Sequence, residues 1–85
     1  MTQPDDSEAR AESIRRLKRV EGHLRHVIDM LHDDRPYLDV TTQLQAVEKA
    51  ISAAKRTMIH DHIDRAVGDV ELDSLSDIRA MTKLL

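Results

Sequence analysis

Val40, Leu44, Val47, Ile51, Ala54 and Met58 follow one another at intervals of four, three, four, three and four residues, with no glycine or proline between them. This is the spacing at which an α-helix turns one apolar seam toward a neighbouring helix, as in coiled coils. The rest of the chain is equally poor in helix breakers: glycine occurs only at 22 and 68, proline only at 4 and 36. Those positions divide the sequence. Helices are predicted at about 7–32, 38–67 and 75–85 of a single all-α domain covering residues 1–85.

The first helix carries Ile14, Leu17, Val20, Leu24, Val27 or Ile28, and Leu31 at steps of three or four. Acidic Asp5, Asp6 and Glu8 at its start suit the positive end of the helix dipole. Asp33-Asp34-Arg35-Pro36 interrupts the pattern, because proline lacks an N–H and its ring disfavours helix in the residue before it. A tight antiparallel hairpin follows. Ala50 and Ala53 lie beside the second helix's seam, Gly68 is placed as its C-cap, Asp69 to Asp73 form a linker, and Ser74-Leu-Ser-Asp77 resembles a capping box. Leu75, Ile78, Met81 and Leu85 share one side of the last helix. A hairpin buries one side of each helix, so a four-helix-bundle dimer or larger assembly is the expected solution.

Composition narrows the function. With 85 residues and no cysteine, the chain has neither disulfide staples nor thiol chemistry, and a domain of this size is marginally stable alone. Tyr37 is the only aromatic residue, which argues against binding single strands by base stacking. No apolar run approaches the ~20 residues of a membrane span, and the acidic N-terminus is unlike a signal peptide, so a cytoplasmic protein is expected.

The net charge is −3, yet Arg15, Arg16, Lys18, Arg19 and Arg25 crowd residues 13–25, in which only Glu21 opposes them. Lys49, Lys55 and Arg56 add positive charge on the second helix. A local cationic face on an acidic protein suits a polyanion such as duplex DNA; a solvated surface laced with ion pairs is the plainer alternative. His23 and His26 are one turn apart and make a weak metal pair at most, while His60 and His62 point in different directions on a helix. No nucleophile–base pair or glycine-rich phosphate loop is present. One enzyme class stays open: small helical chorismate mutases also use an arginine-rich first helix, although here the cations cluster near one end. A helical interaction module without DNA binding is a further alternative.

Four stretches carry a resemblance: Arg16-Leu-Lys-Arg-Val-Glu-Gly22, Asp33-Asp-Arg-Pro-Tyr-Leu-Asp-Val40, Thr42-Gln-Leu-Gln-Ala-Val47 and Asp61-His-Ile63. In order and spacing they resemble the copper-sensitive operon repressor family (CsoR/RcnR/FrmR), with its wording R-x-x-R-I-E-G-Q, D-x-x-C-x-D-V, T-Q-I-x-A-V and E-H-L. The likeness covers most of residues 13–67. It implies a disc-like homotetramer, built as a dimer of antiparallel hairpins, that represses transcription by laying basic helix faces on operator DNA and releases it when an effector binds between chains. Arg15, Arg16, Lys18 and Arg19 match the family's basic first helix. Ser52 stands where some members have arginine, which shifts attention to Lys49, Lys55 and Arg56.

The implied effector site departs from the family pattern. Its thiolate position is Tyr37, its histidine falls on His62, and its last ligand falls on Ala66. Nickel and cobalt sensors add an N-terminal imidazole, but no histidine precedes His23. Copper(I) prefers thiolates and is disfavoured; persulfide or formaldehyde sensing needs the missing thiol. Two readings stay open: a harder site of Tyr37, His60, His62 and an N-terminal carboxylate for zinc, nickel or cobalt, or a remnant in which Tyr37 and His62 hydrogen-bond across a former sensor site and stabilise the interface.

Overall fold

The structure is a computed structural model that describes residues 6–67 and 72–85. It contains three helices, α1 (Asp6–His32), α2 (Tyr37–Val67) and α3 (Leu72–Thr82), with no strand among the described residues. The all-α expectation holds. The chain divides into two compact units whose boundary falls inside α2, the first ending at Ala54 and the second beginning at Lys55. Asp5 and the expected Gly68 cap lie outside the described residues, as does most of the expected linker.

In the first unit the reversal between α1 and α2 is a Schellman-type ending. Arg35 N–H donates to the Met30 carbonyl at 3.0 Å and Asp34 N–H to that of Leu31 at 3.3 Å, so two carbonyls at the end of α1 are satisfied by the turn itself. Asp34 provides the left-handed step, with φ at 56°. Aspartate tolerates that region better than most side chains, though less well than glycine. Pro36 then starts α2 through its carbonyl, which accepts from Val40 N–H at 3.1 Å. Thr41 and Thr42 hydroxyls donate back to carbonyls of the first turn, Thr41 to Tyr37 at 2.8 Å and Thr42 to Leu38 at 2.7 Å.

The hairpin core is Val27 and Met30 of α1 against Val40 and Val47 of α2, with Val20 packed at its edge. This corrects the expected seam. Val40, Val47 and Ala54, seven residues apart, are buried, while the alternating Leu44 and Ile51 remain 43% and 46% exposed. On α1, Ile14, Leu17, Leu24, Ile28 and Leu31 form a second row that is likewise exposed. One neighbouring helix covers only one flank of a heptad stripe, so each helix is left with an apolar row beside its core row.

In the second unit Ile59 is buried, and Met58, Ile63, Ile78 and Met81 are half-buried. The last helix starts at Leu72 and not at Leu75, so Ser74 lies inside it and not at its cap; neither Leu72 nor Asp73 is a helix breaker. It also ends three residues early. Leu84 N–H donates to Met81 and Leu85 N–H to Thr82, tighter bonds of the 3₁₀ kind, and Leu75 and Leu85 stay exposed.

Two substitutions test the first unit in opposite directions. Asp34→Gly removes the left-handed penalty of a side chain and is expected to stabilise by about 0.5–1 kcal/mol. Met30→Ala leaves a cavity in a small core and is expected to cost about 2–5 kcal/mol. Urea unfolding at a fixed chain concentration measures both.

Candidate nucleic-acid interface and effector residues

The cationic segment lies on the exposed surface of α1 in the first unit. Arg15 is tied down: its Nε and Nη2 donate to Glu12 Oε1 at 3.2 and 2.8 Å. Arg16 Nε lies 3.5 Å from Glu12 Oε2, is shielded from solvent and has no hydrogen-bond partner, so it acts on Glu12 mainly as a charge. The hydrogen bond and charge of Arg15, with a smaller share from Arg16, hold the Glu12 carboxyl below the usual glutamate range. The acid opposing this cluster is therefore Glu12, not Glu21. Its position three and four residues before Arg15 and Arg16 is the helical ion-pair spacing, a signal present in the sequence just upstream of residues 13–25.

Lys18, Arg19 and Arg25 differ. They are exposed and make no ion pair among the described residues. Arg16 and Arg19 also rim a groove of about 420 Å³ between α1 and α2, floored by Val20, Ala50 and Ala53. His23 closes one end, donating from Nε2 to Gln43 Oε1 at 2.8 Å, a cross-helix bond that sequence reasoning missed because the two residues are twenty apart. That bond orients the imidazole within the hairpin and separates it in role from exposed His26. On α2, Lys49 borders a shallow depression of about 520 Å³ with Thr41, Thr42, Gln45 and Ala46.

The remaining candidates are distributed over both units. Tyr37 belongs to the first and is 78% exposed at the start of α2. Lys55, Arg56, His60 and His62 belong to the second; the first three are exposed, whereas His62 is half-buried with its Nε2 shielded and without a hydrogen-bond partner.

The profile of the family described as metal-sensitive transcriptional repressor matches residues 9–85. The chain belongs to this family. The copper-sensing transcriptional repressor CsoR of Mycobacterium tuberculosis (strain ATCC 25618 / H37Rv) is 36% identical over 61 residues, which is 72% of this chain and 51% of that protein. The CsoR of Bacillus subtilis (strain 168) is 33% identical over 70 residues, 82% of this chain and 68% of that one. The solved structure of the nickel-responsive transcriptional regulator InrS superposes with a TM-score of 0.72 over 98% of this chain and 94% of that chain, at 27% identity. The chain spans about half the length of the mycobacterial relatives it matches. These relatives are transcriptional regulators and not enzymes, which sets the mutase alternative aside.

Membership implies a metal, and the donor set answers only in part. Cysteine is absent from the sequence, and among the described residues no group of three or more histidines and carboxylates is placed to hold an ion. The unpaired Nε2 of His62 suits a borderline metal, but one imidazole is not a site, and thiolate coordination of copper(I) does not fit this chain.

The Arg15–Glu12 pair gives a direct test. In a carboxyl-detected NMR titration Glu12 should titrate below an ordinary glutamate, and Arg15→Gln should raise its midpoint. The pair's contribution to stability is present above the ordinary glutamate range and is lost as pH falls through the lowered midpoint.

Proposed function

We propose that this chain is a DNA-binding transcriptional repressor with an altered, cysteine-free effector site, acting in the cytoplasm on its operator. The carrying observation is the exposed α1 surface on which Lys18, Arg19 and Arg25 have no ion-pair partner among the described residues, in a protein whose net charge is −3. Such cations neutralise phosphates and release the counterions condensed on the duplex. Arg15 and Arg16 join the contact surface by leaving Glu12 for DNA phosphate, and Lys49, Lys55 and Arg56 extend it on α2.

The working form is a homodimer or homotetramer of one-domain chains. The exposed rows on α1 and α2 supply its apolar interface, since an apolar face of this extent is costly in water. No helix among the described residues is long and apolar enough to cross a membrane. Effector binding at an interface between chains, with Tyr37, His60 and His62 as candidate residues, lowers DNA affinity through small shifts of packed helices. Zinc, nickel and cobalt match the imidazole and oxygen donors; copper(I) does not.

Fluorescence anisotropy with a duplex from the protein's own promoter tests the first claim. Affinity should fall steeply with salt, and replacing Arg15 or Arg19 by Gln should reduce the logarithmic salt slope by about one each. Absent or salt-independent binding would sink the repressor reading. For the effector, zinc, nickel, cobalt and copper(I) are titrated into the protein–DNA complex. Release by one of the first three and its loss in His62→Ala are expected; a His62→Ala response equal to that of the parent protein removes His62 from the effector site.

A further inference from the structure

Gly22 stands in the middle of the 27-residue α1, where glycine is unfavourable compared with alanine because it loses more backbone freedom on folding. Glycine also leaves the helix backbone open to close approach by a neighbour or a ligand. Nothing within the chain makes that approach: a Cβ built on Gly22 meets no atom within 4 Å, and the residue is exposed. The core does not account for it either, since Val20, Val27 and Met30 lie about 80–160° around the helix from it. Nor does the exposed apolar row, because Ile14, Leu17, Leu24, Ile28 and Leu31 lie about 80–180° away.

The surface that surrounds Gly22 is defined by its neighbours three and four residues to either side. These are Lys18, Arg19, Arg25 and His26. All four are exposed, three carry fixed positive charge, and none of those three has an ion-pair partner among the described residues. The glycine is thus a gap in the side-chain layer at the centre of a cationic ring. A flat polyanion resting on the ring meets bare helix backbone where any other residue would hold it off.

We propose that Gly22 is the seat of the DNA sugar-phosphate backbone, a positioning residue that lets Lys18, Arg19 and Arg25 reach phosphate oxygens at hydrogen-bond distance. This rests on the repressor reading above. The lost helix stability is exchanged for close approach, so stability and DNA affinity must respond to substitution in opposite directions.

The test compares parent protein, Gly22→Ala and Gly22→Leu, all full length, by thermal unfolding, sedimentation and anisotropy with the same promoter duplex. Gly22→Ala should raise Tm by about 4–8 °C. Gly22→Leu should weaken DNA binding about tenfold, the scale of one charge-assisted contact, with Gly22→Ala between it and the parent. Assembly should be unchanged in both. Undiminished DNA affinity in Gly22→Leu overturns the inference while leaving the repressor reading intact. Dissociation of the assembly by Gly22→Ala also overturns it, by giving the close approach to a second subunit. If the parent protein itself fails to bind the duplex, the repressor reading falls and takes this inference with it.

Discussion

The interaction on which the first unit depends is the packing of Val27 and Met30 against Val40 and Val47. Four aliphatic side chains hold two helices together, and the Schellman turn at Asp34 delivers them in register by satisfying the last carbonyls of α1 without a longer loop. Because this core uses one flank of each stripe, it leaves Leu24, Ile28, Leu44 and Ile51 in water. The same economy that makes the hairpin small makes it sticky.

That division of faces organises the polar surface as well. Between the core row and the apolar row, α1 has only one broad polar side, and there the unpaired Lys18, Arg19 and Arg25 surround Gly22. Arg15 and Arg16 are the exception: they are neighbours in sequence of the free cations yet are engaged by Glu12. A charge cluster is therefore not a uniform reagent. In the proposed DNA contact its free members would meet phosphate directly, and its paired members would first exchange one acid for another, a step of small cost because exposed pairs contribute little.

The candidate effector residues follow a different logic. A family defined by metal response is represented here by a chain without thiolates, in which His62 keeps a shielded, unpaired Nε2 and Tyr37 stands exposed at the start of α2. Buried imidazole nitrogens are seldom left without a partner, and the shielded Nε2 of His62 is such an exception.

By itself the sequence determined the helical class, the hairpin break at Pro36 and the location of the charge, because these depend on periodicity and on local backbone chemistry. It also carried the family wording, including Gly22 and the departure at Tyr37. Which half of the heptad is buried was decided only in three dimensions: Leu44 and Val47 are equally apolar, and the facing helix covers one and not the other. The His23–Gln43 bond and the sorting of cations into paired and unpaired belong to the same category. Side-chain partners depend on distances between helices that spacing along one chain does not encode. The early start of α3 shows the converse limit, since a capping pattern at Ser74 marks a permissible helix start and does not oblige the chain to use it.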